Sequence, residues 1–166
     1  MPLRSALICA LPLALMACAQ QGTANEPVAT PTGQIQAPTV HPISGLQVIP
    51  VTVTTDDGEH VFRAELAESR EAQGRGLMFR TELPDDEAMI FPSVPQTARS
   101  FYMKNTPIPL DIIFVGTDGR ILNIAAMTEP YSLESIYSVG VTSGVLEIRG
   151  GLAQELGIEP GDKVEW

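Results

Sequence analysis

Between Ile49 and Leu66 apolar and polar side chains alternate in steps of two. Ile49, Val51 and Val53 stand against Pro50, Thr52 and Thr54; after Asp56-Asp57-Gly58, His60, Phe62, Ala64 and Leu66 stand against Val61, Arg63 and Glu65. Successive residues of a strand point to opposite faces, so the pattern specifies a hairpin with a turn at Asp56-Asp57-Gly58, one face buried and the other wet. Neither run has the spacing of three and four that an amphipathic helix needs.

The remainder of the chain repeats this pattern. Further strands are predicted at 88–91, 98–104, 110–115, 120–127, 145–149 and 163–166, with Gly116-Thr117-Asp118-Gly119 as a second hairpin turn. Ser69 is placed to cap a short helix that Gly74 and Gly76 keep from running on, and 151–156 predicts a second. The expected architecture is mainly β: a compact antiparallel β-sandwich or partly closed β-barrel of about seven or eight strands with one or two short helices.

The N-terminal part reads differently. Arg4 precedes an apolar run from Ser5 to Met16, too short to span a bilayer and suited to a signal peptide over residues 1–17. Leu15-Met16-Ala17-Cys18 has the form of a lipobox, which predicts cleavage before Cys18 and acylation of its thiol. Residues 18–45 contain Pro27, Pro31, Pro38 and Pro42 with many Thr and Gln and few large apolar groups, and read as a disordered tether. His41 is expected to be a solvated residue of that tether. The folded domain is then 46–166. Multiple acylation would anchor it firmly, and Gln20 favours the periplasmic face of the outer membrane; ordinary secretory cleavage, which Ala17-Cys18-Ala19 also fits, would leave a soluble periplasmic protein instead.

Composition excludes some partners. The chain has 10 basic and 20 acidic residues; without Arg4 the balance is 9 against 20, a formal charge of −11. Such a surface is repelled by nucleic-acid phosphates and anionic headgroups, so membrane attachment is assigned to the lipid and no nucleic-acid partner is expected. Removal of the signal takes Cys9 with it and leaves only an acylated Cys18, so no disulfide is expected. A monomer is expected, and no cofactor or metal.

Chemistry-bearing residues gather in a few blocks. Lys104 ends an apolar run, and buried without a partner it would cost several kcal/mol; Asp111, beyond the turn of Pro107 and Pro109, is its nearest carboxylate. Lys104, Asn105 and Asp111 could close a polar clasp, Asn105 capping backbone groups beside the prolines, or could present donors to an anionic ligand with Tyr102 as a wall. Arg75 lies between Gly74 and Gly76, able to offer a guanidinium fork to a ligand or to pair with Glu147, a carboxylate within the apolar strand Val145 to Ile148. Met78, Met89, Met103 and Met127 fall where core residues are expected, and a thioether site for Cu(I) is a remote alternative.

The blocks Arg75-Gly76-Leu77-Met78-Phe79-Arg80, Ala88-Met89-Ile90-Phe91, Tyr102 through Phe114 and Gly144-Val145-Leu146-Glu147 resemble, in order, the signature of the domain-of-unknown-function 192 family. Tyr102 and Ala88 stand where that signature leads one to expect tryptophan and glycine. The resemblance implies a compact, mainly β domain, often exported, and implies no reaction. Function is accordingly expected to be that of a binding or accessory module, for a small anionic ligand or a periplasmic protein, with Arg75, Tyr102, Lys104, Asn105, Asp111 and Glu147 as its site. A small hydrolase or transferase using a carboxylate–lysine pair is the alternative, although no familiar catalytic motif is present.

Overall fold

A computed structural model describes residues 39–166. The predicted signal segment, Cys18 and most of the predicted tether lie outside the described residues. The strands are β1 (Thr39–Val40), β2 (Gln47–Thr55), β3 (Gly58–Leu66), β4 (Glu87–Thr97), β5 (Ser100–Phe101), β6 (Leu110–Gly116), β7 (Ile121–Ala125), β8 (Ile136–Tyr137), β9 (Thr142–Arg149) and β10 (Lys163–Glu165). The helices are α1 (Arg70–Arg75) and α2 (Leu152–Glu155). Strands β1-β2-β3-β4-β9-β6-β7 form one curled sheet, to which β10 adds by pairing with β2; β5 and β8 form a second, two-stranded sheet.

The alternation reads out as two cores. On β4, β6 and β9, Ala88, Ile90, Ile113, Val115, Leu146 and Ile148 face Val51, Val53 and Phe62 inside the curl. The intervening Met89, Phe91, Ile112, Phe114 and Val145 face Leu77, Leu83, Met103 and Leu110 on the opposite side. These central strands are covered on both faces, which explains their nearly unbroken apolar runs. The curl almost closes: β10 lies along β2, its residue Lys163 bridges Arg120, and Val164 donates to the carbonyl of Gly119 at 2.8 Å. The result is the expected mainly β, partly closed barrel with two short helices.

Several local expectations need revision. The predicted strand at 98–104 is reduced to Ser100–Phe101, because its pairing partner β8 offers only two residues. One strand pair, β3 with β4, is parallel, and the connection between them contains α1. Ser69 does cap α1, its hydroxyl accepting from the Ala72 amide at 3.0 Å.

His41 is a correction. Thr39 and Val40 already pair with β2, and His41 is 5% exposed. Its Nδ1 lies 3.2 Å from an Arg80 guanidinium nitrogen, and its Nε2 lies 3.5 Å from a Glu87 oxygen. Arg80 also bonds Glu65, which is buried on the face of β3 that alternation assigned to water. The cluster seals that face with paired charges in place of an apolar layer.

Candidate functional site

A cavity of about 100 Å³ opens against the second core. Its lining includes Gln73, Arg75, Gly76 and Met78 from α1 and the turn after it, Phe91 from β4, Arg99 to Met103 from the segment around β5, and Glu147 from β9. Phe101 is edge-on to both Phe91 and Phe114, with ring centroids 5.2 and 6.0 Å apart, and these contacts tie the wall to the core.

Glu147 is the decisive group. Its backbone lies between Met89 of β4 and Ile112 of β6, and strand parity turns its side chain toward the apolar face those residues share. It is 5% exposed. Burial pushes its carboxyl up to about 8, with no hydrogen bond or neighbouring cation offsetting that effect among the described residues. At neutral pH Glu147 is therefore an uncharged hydrogen-bond donor.

Arg99 faces the same cavity. One guanidinium nitrogen donates to Gln73 Oε1 at 3.2 Å, another lies 3.5 Å from Ser93 Oγ, and the group sits 5.5 Å from the Phe101 ring centre. Gln73 is in turn fixed by its Nε2 donating to the carbonyl of Pro92 at 2.9 Å. Every one of these partners is neutral, so the guanidinium charge is oriented without being cancelled. Partial burial lowers its pKa, and it remains a cation.

The residues singled out from sequence divide into three groups. Arg75, Tyr102 and Glu147 line the cavity, but Arg75 is exposed and forms no ion pair with Glu147. Lys104 and Asn105 adjoin it, between the lining residues Met103 and Thr106. Asp111 does not face it. The expected Lys104–Asp111 pairing is corrected by the geometry: Lys104 is exposed, while Asp111 is fully buried and accepts from the amides of Met127, Gly151 and Ala153 at 2.8, 2.9 and 2.8 Å. Asp111 thereby fixes the start of α2 against β6, a structural task that leaves no carboxylate for lysine.

Asn105 is corrected as well. Its side chain reaches Met78 Sδ at 3.9 Å, while Thr128 serves the proline turn: Thr128 Oγ1 accepts from the Leu110 amide at 3.1 Å. What Asn105 contributes is its backbone, at φ 56°, a left-handed conformation asparagine adopts more readily than most residues. The methionines also diverge. Met89 and Met103 are core residues, whereas Met127 is exposed at φ 51°, so the described methionines do not share one setting.

Arg99 and Gln73 were not distinguished from sequence. A basic residue at the head of the Phe101-Tyr102 run is the available signal for Arg99, as one at its end marks Lys104; nothing marks Gln73.

Comparison with known proteins gives the lineage. The family model DUF192, described as Uncharacterized ACR, COG1430, matches residues 51–166. The chain belongs to the DUF192 family. A crystal structure of a protein of unknown function from Novosphingobium aromaticivorans DSM 12444 is similar at 59% identity and TM-score 0.77, covering 80% of this chain and 94% of that one. A second, of a candidate transcription regulator from Sinorhizobium meliloti 1021, is similar at 34% identity and TM-score 0.67, covering 70% and 91%. No curated protein matches. Within this DUF192 chain, the signature residues Arg75, Gly76, Met78, Tyr102, Met103 and Glu147 meet at the cavity although they come from separate elements.

Proposed function

We propose that the cavity binds the carboxylate of a small anionic ligand, and that the domain is a binding module carried on an exported, lipid-anchored chain. The observation that carries the reading is the distribution of cations. Among the described basic residues, Arg63, Arg80, Arg149 and Lys163 are paired with carboxylates, and Arg120 donates to the carbonyl of Gly161. The others, Arg70, Arg75, Arg99 and Lys104, lie on α1 or on the segment that walls the cavity. Among the described residues of this acidic chain, the cations without a carboxylate partner thus concentrate beside the cavity, Arg120 apart. Glu147 complements those cations: as a neutral acid it donates to an anion that its ionised form would repel.

Binding of this kind has a pH signature. The ligand is ionised above the ordinary carboxylate range, and Glu147 holds its proton up to about pH 8. Affinity should be retained between those limits and fall as Glu147 ionises. The export and anchoring part of the proposal rests on the apolar run ending at Cys18. The acidic balance argues against carrying over the transcription-regulator description of the Sinorhizobium relative in any form that needs contact with nucleic acid.

A second reading is favoured by the same carboxyl. A protonated Glu147 that shares a cavity with Arg99 has the makings of a general acid with an anion stabiliser, in a hydrolase or transferase. Glu147 is the one carboxyl in the lining, which supplies no second carboxylate for a two-carboxylate hydrolysis.

The test is a ¹⁵N chemical-shift titration of the full chain with benzoate. Saturable shifts at Gly76, Arg99, Phe101 and Glu147, lost in Arg99→Ala, are expected. Absence of saturation, or shifts unchanged by Arg99→Ala, would refute the proposal.

A further inference from the structure

Around the mouth of the cavity the chain exposes an unusual share of its aromatic surface. Aromatics make up 5% of the residues, and there are three tyrosines. All of them, Tyr102, Tyr131 and Tyr137, are exposed, and all belong to the segments that border the cavity. Tyr102 lines it. Tyr131 donates its amide to the carbonyl of Thr106 at 3.1 Å, Met103 donates to Ser132 at 2.9 Å, and Tyr137 pairs with Ser100. Leu133 and Phe79 add to this rim at 72% and 68% exposure, the Phe79 amide donating a hydrogen bond of 2.7 Å to the carbonyl of Asn105.

The backbone is held in costly conformations to make this rim. Phe79, Asn105 and Tyr131 have φ of 66°, 56° and 62°, and the bonds from Phe79 and Tyr131 join them to the Asn105–Thr106 turn. Left-handed conformations strain bulky residues such as Phe79 and Tyr131, and residues strained in this way concentrate at ligand clamps. Here the outcome is that two aromatic rings stand in solvent.

Size decides what this rim is for. Pockets that enclose whole small molecules hold roughly 300–1,000 Å³, whereas this cavity holds about 100 Å³. It has room for a carboxylate and a few adjoining atoms, so the body of the ligand must lie outside, across the rim. Tyr102 belongs to the Tyr102–Thr106 stretch at one end of the cavity, Phe79 and Tyr131 are hydrogen-bonded to that stretch, and Leu133 follows Ser132, whose carbonyl accepts from Met103, so the apolar support for a ligand lies at that end. On the α1 side the cavity meets a second one of about 270 Å³ at Arg75 and Gly76, whose lining includes Ser44, Ser69 and Glu71 and would repel an anionic body. A chain that terminates in the cavity fits this arrangement; one that crosses the mouth with an internal acidic side chain inserted would need apolar support on the α1 side as well. Tyrosine and other large apolar groups suit the adaptable packing of peptide side chains, and Lys104 and Arg75 supply charge complementary to an acidic chain end.

We propose that the occupant is the C-terminal end of a polypeptide, its terminal carboxylate held in the cavity lined by Arg99 and Glu147 and its last side chains lying on Tyr102, Tyr131, Leu133 and Phe79. This rests on the carboxylate-binding reading of the cavity and names the substrate class for it.

The experiment compares paired arrays of random tetrapeptides, one set with free C-terminal carboxylates and one with C-terminal amides, probed with the full chain. Soluble copies of the strongest binders are then titrated beside benzoate. Variants are Tyr131→Asn, which keeps a residue tolerant of positive φ, and Leu133→Ser, both at exposed positions. Binding confined to the free-acid array, with peptide affinity at least tenfold weaker in the rim variants and benzoate affinity unchanged, is the expected result. Equal binding to the amide array, or peptides that bind no more tightly than benzoate, would overturn the peptide proposal while leaving carboxylate binding in place. Self-association lost in the rim variants with no peptide captured would overturn it in favour of a second copy as occupant. If benzoate also fails to bind, the reading beneath it fails too.

Discussion

Replacing Glu147 by glutamine should make the protein more stable, and the gain should grow with pH. The carboxyl titrates at about 8 in the fold, against an unperturbed value of 4.5. Below the unperturbed value both folded and unfolded chains carry the proton, and the group contributes no pH dependence. As pH rises the unfolded chain ionises first, so the native state loses stability through this window and levels off above about 8. One unit of separation corresponds to about 1.4 kcal/mol, so the gap costs the native state about 3 kcal/mol at pH 7 and about 5 kcal/mol on the alkaline side. Glutamine keeps the size and a donor but cannot ionise. Denaturant unfolding of both proteins at a series of pH values isolates the effect, because other groups titrate alike in each and cancel in the difference. Parallel stability profiles would refute the argument, since they would mean that Glu147 is already ionised and solvated in the native state.

Three further substitutions separate structural from functional charge. Asp111→Ala removes the acceptor of three backbone amides and should cost about 3–5 kcal/mol in denaturant unfolding. Arg80→Ala leaves Glu65 buried without its cation beside His41, and a loss of about 3–5 kcal/mol is expected by thermal and chemical unfolding. Lys104→Ala, at an exposed position with no ion-pair partner among the described residues, should shift stability by less than about 0.5 kcal/mol. Stopped-flow measurement should nevertheless show slower anion association in that variant, with weaker salt dependence.

Legibility from sequence followed the range of the interactions. The β2–β3 hairpin was readable because strand alternation and its turn are local, and the apolar runs of β6 and β9 were readable because both faces of those strands are buried. Glu147 stood out because a carboxylate within Val145 to Ile148 has no ordinary reason to be there. Arg99 and Gln73 did not, since their significance comes from a cavity assembled by α1, β5 and β9. His41 was misplaced because its burial depends on Arg80 and Glu87, far along the chain, which a local reading of a proline-rich stretch does not register. The Lys104–Asp111 pairing failed for a related reason: backbone amides, which claim Asp111, leave no mark in a sequence.

The most direct test of this account is the titration of the Glu147 side-chain carbon by ¹³C NMR, with and without saturating benzoate. An apparent pKa of about 8 in the free protein, moving upward when the anion is bound, is predicted. Titration in the ordinary carboxylate range, or a value indifferent to benzoate, would contradict it.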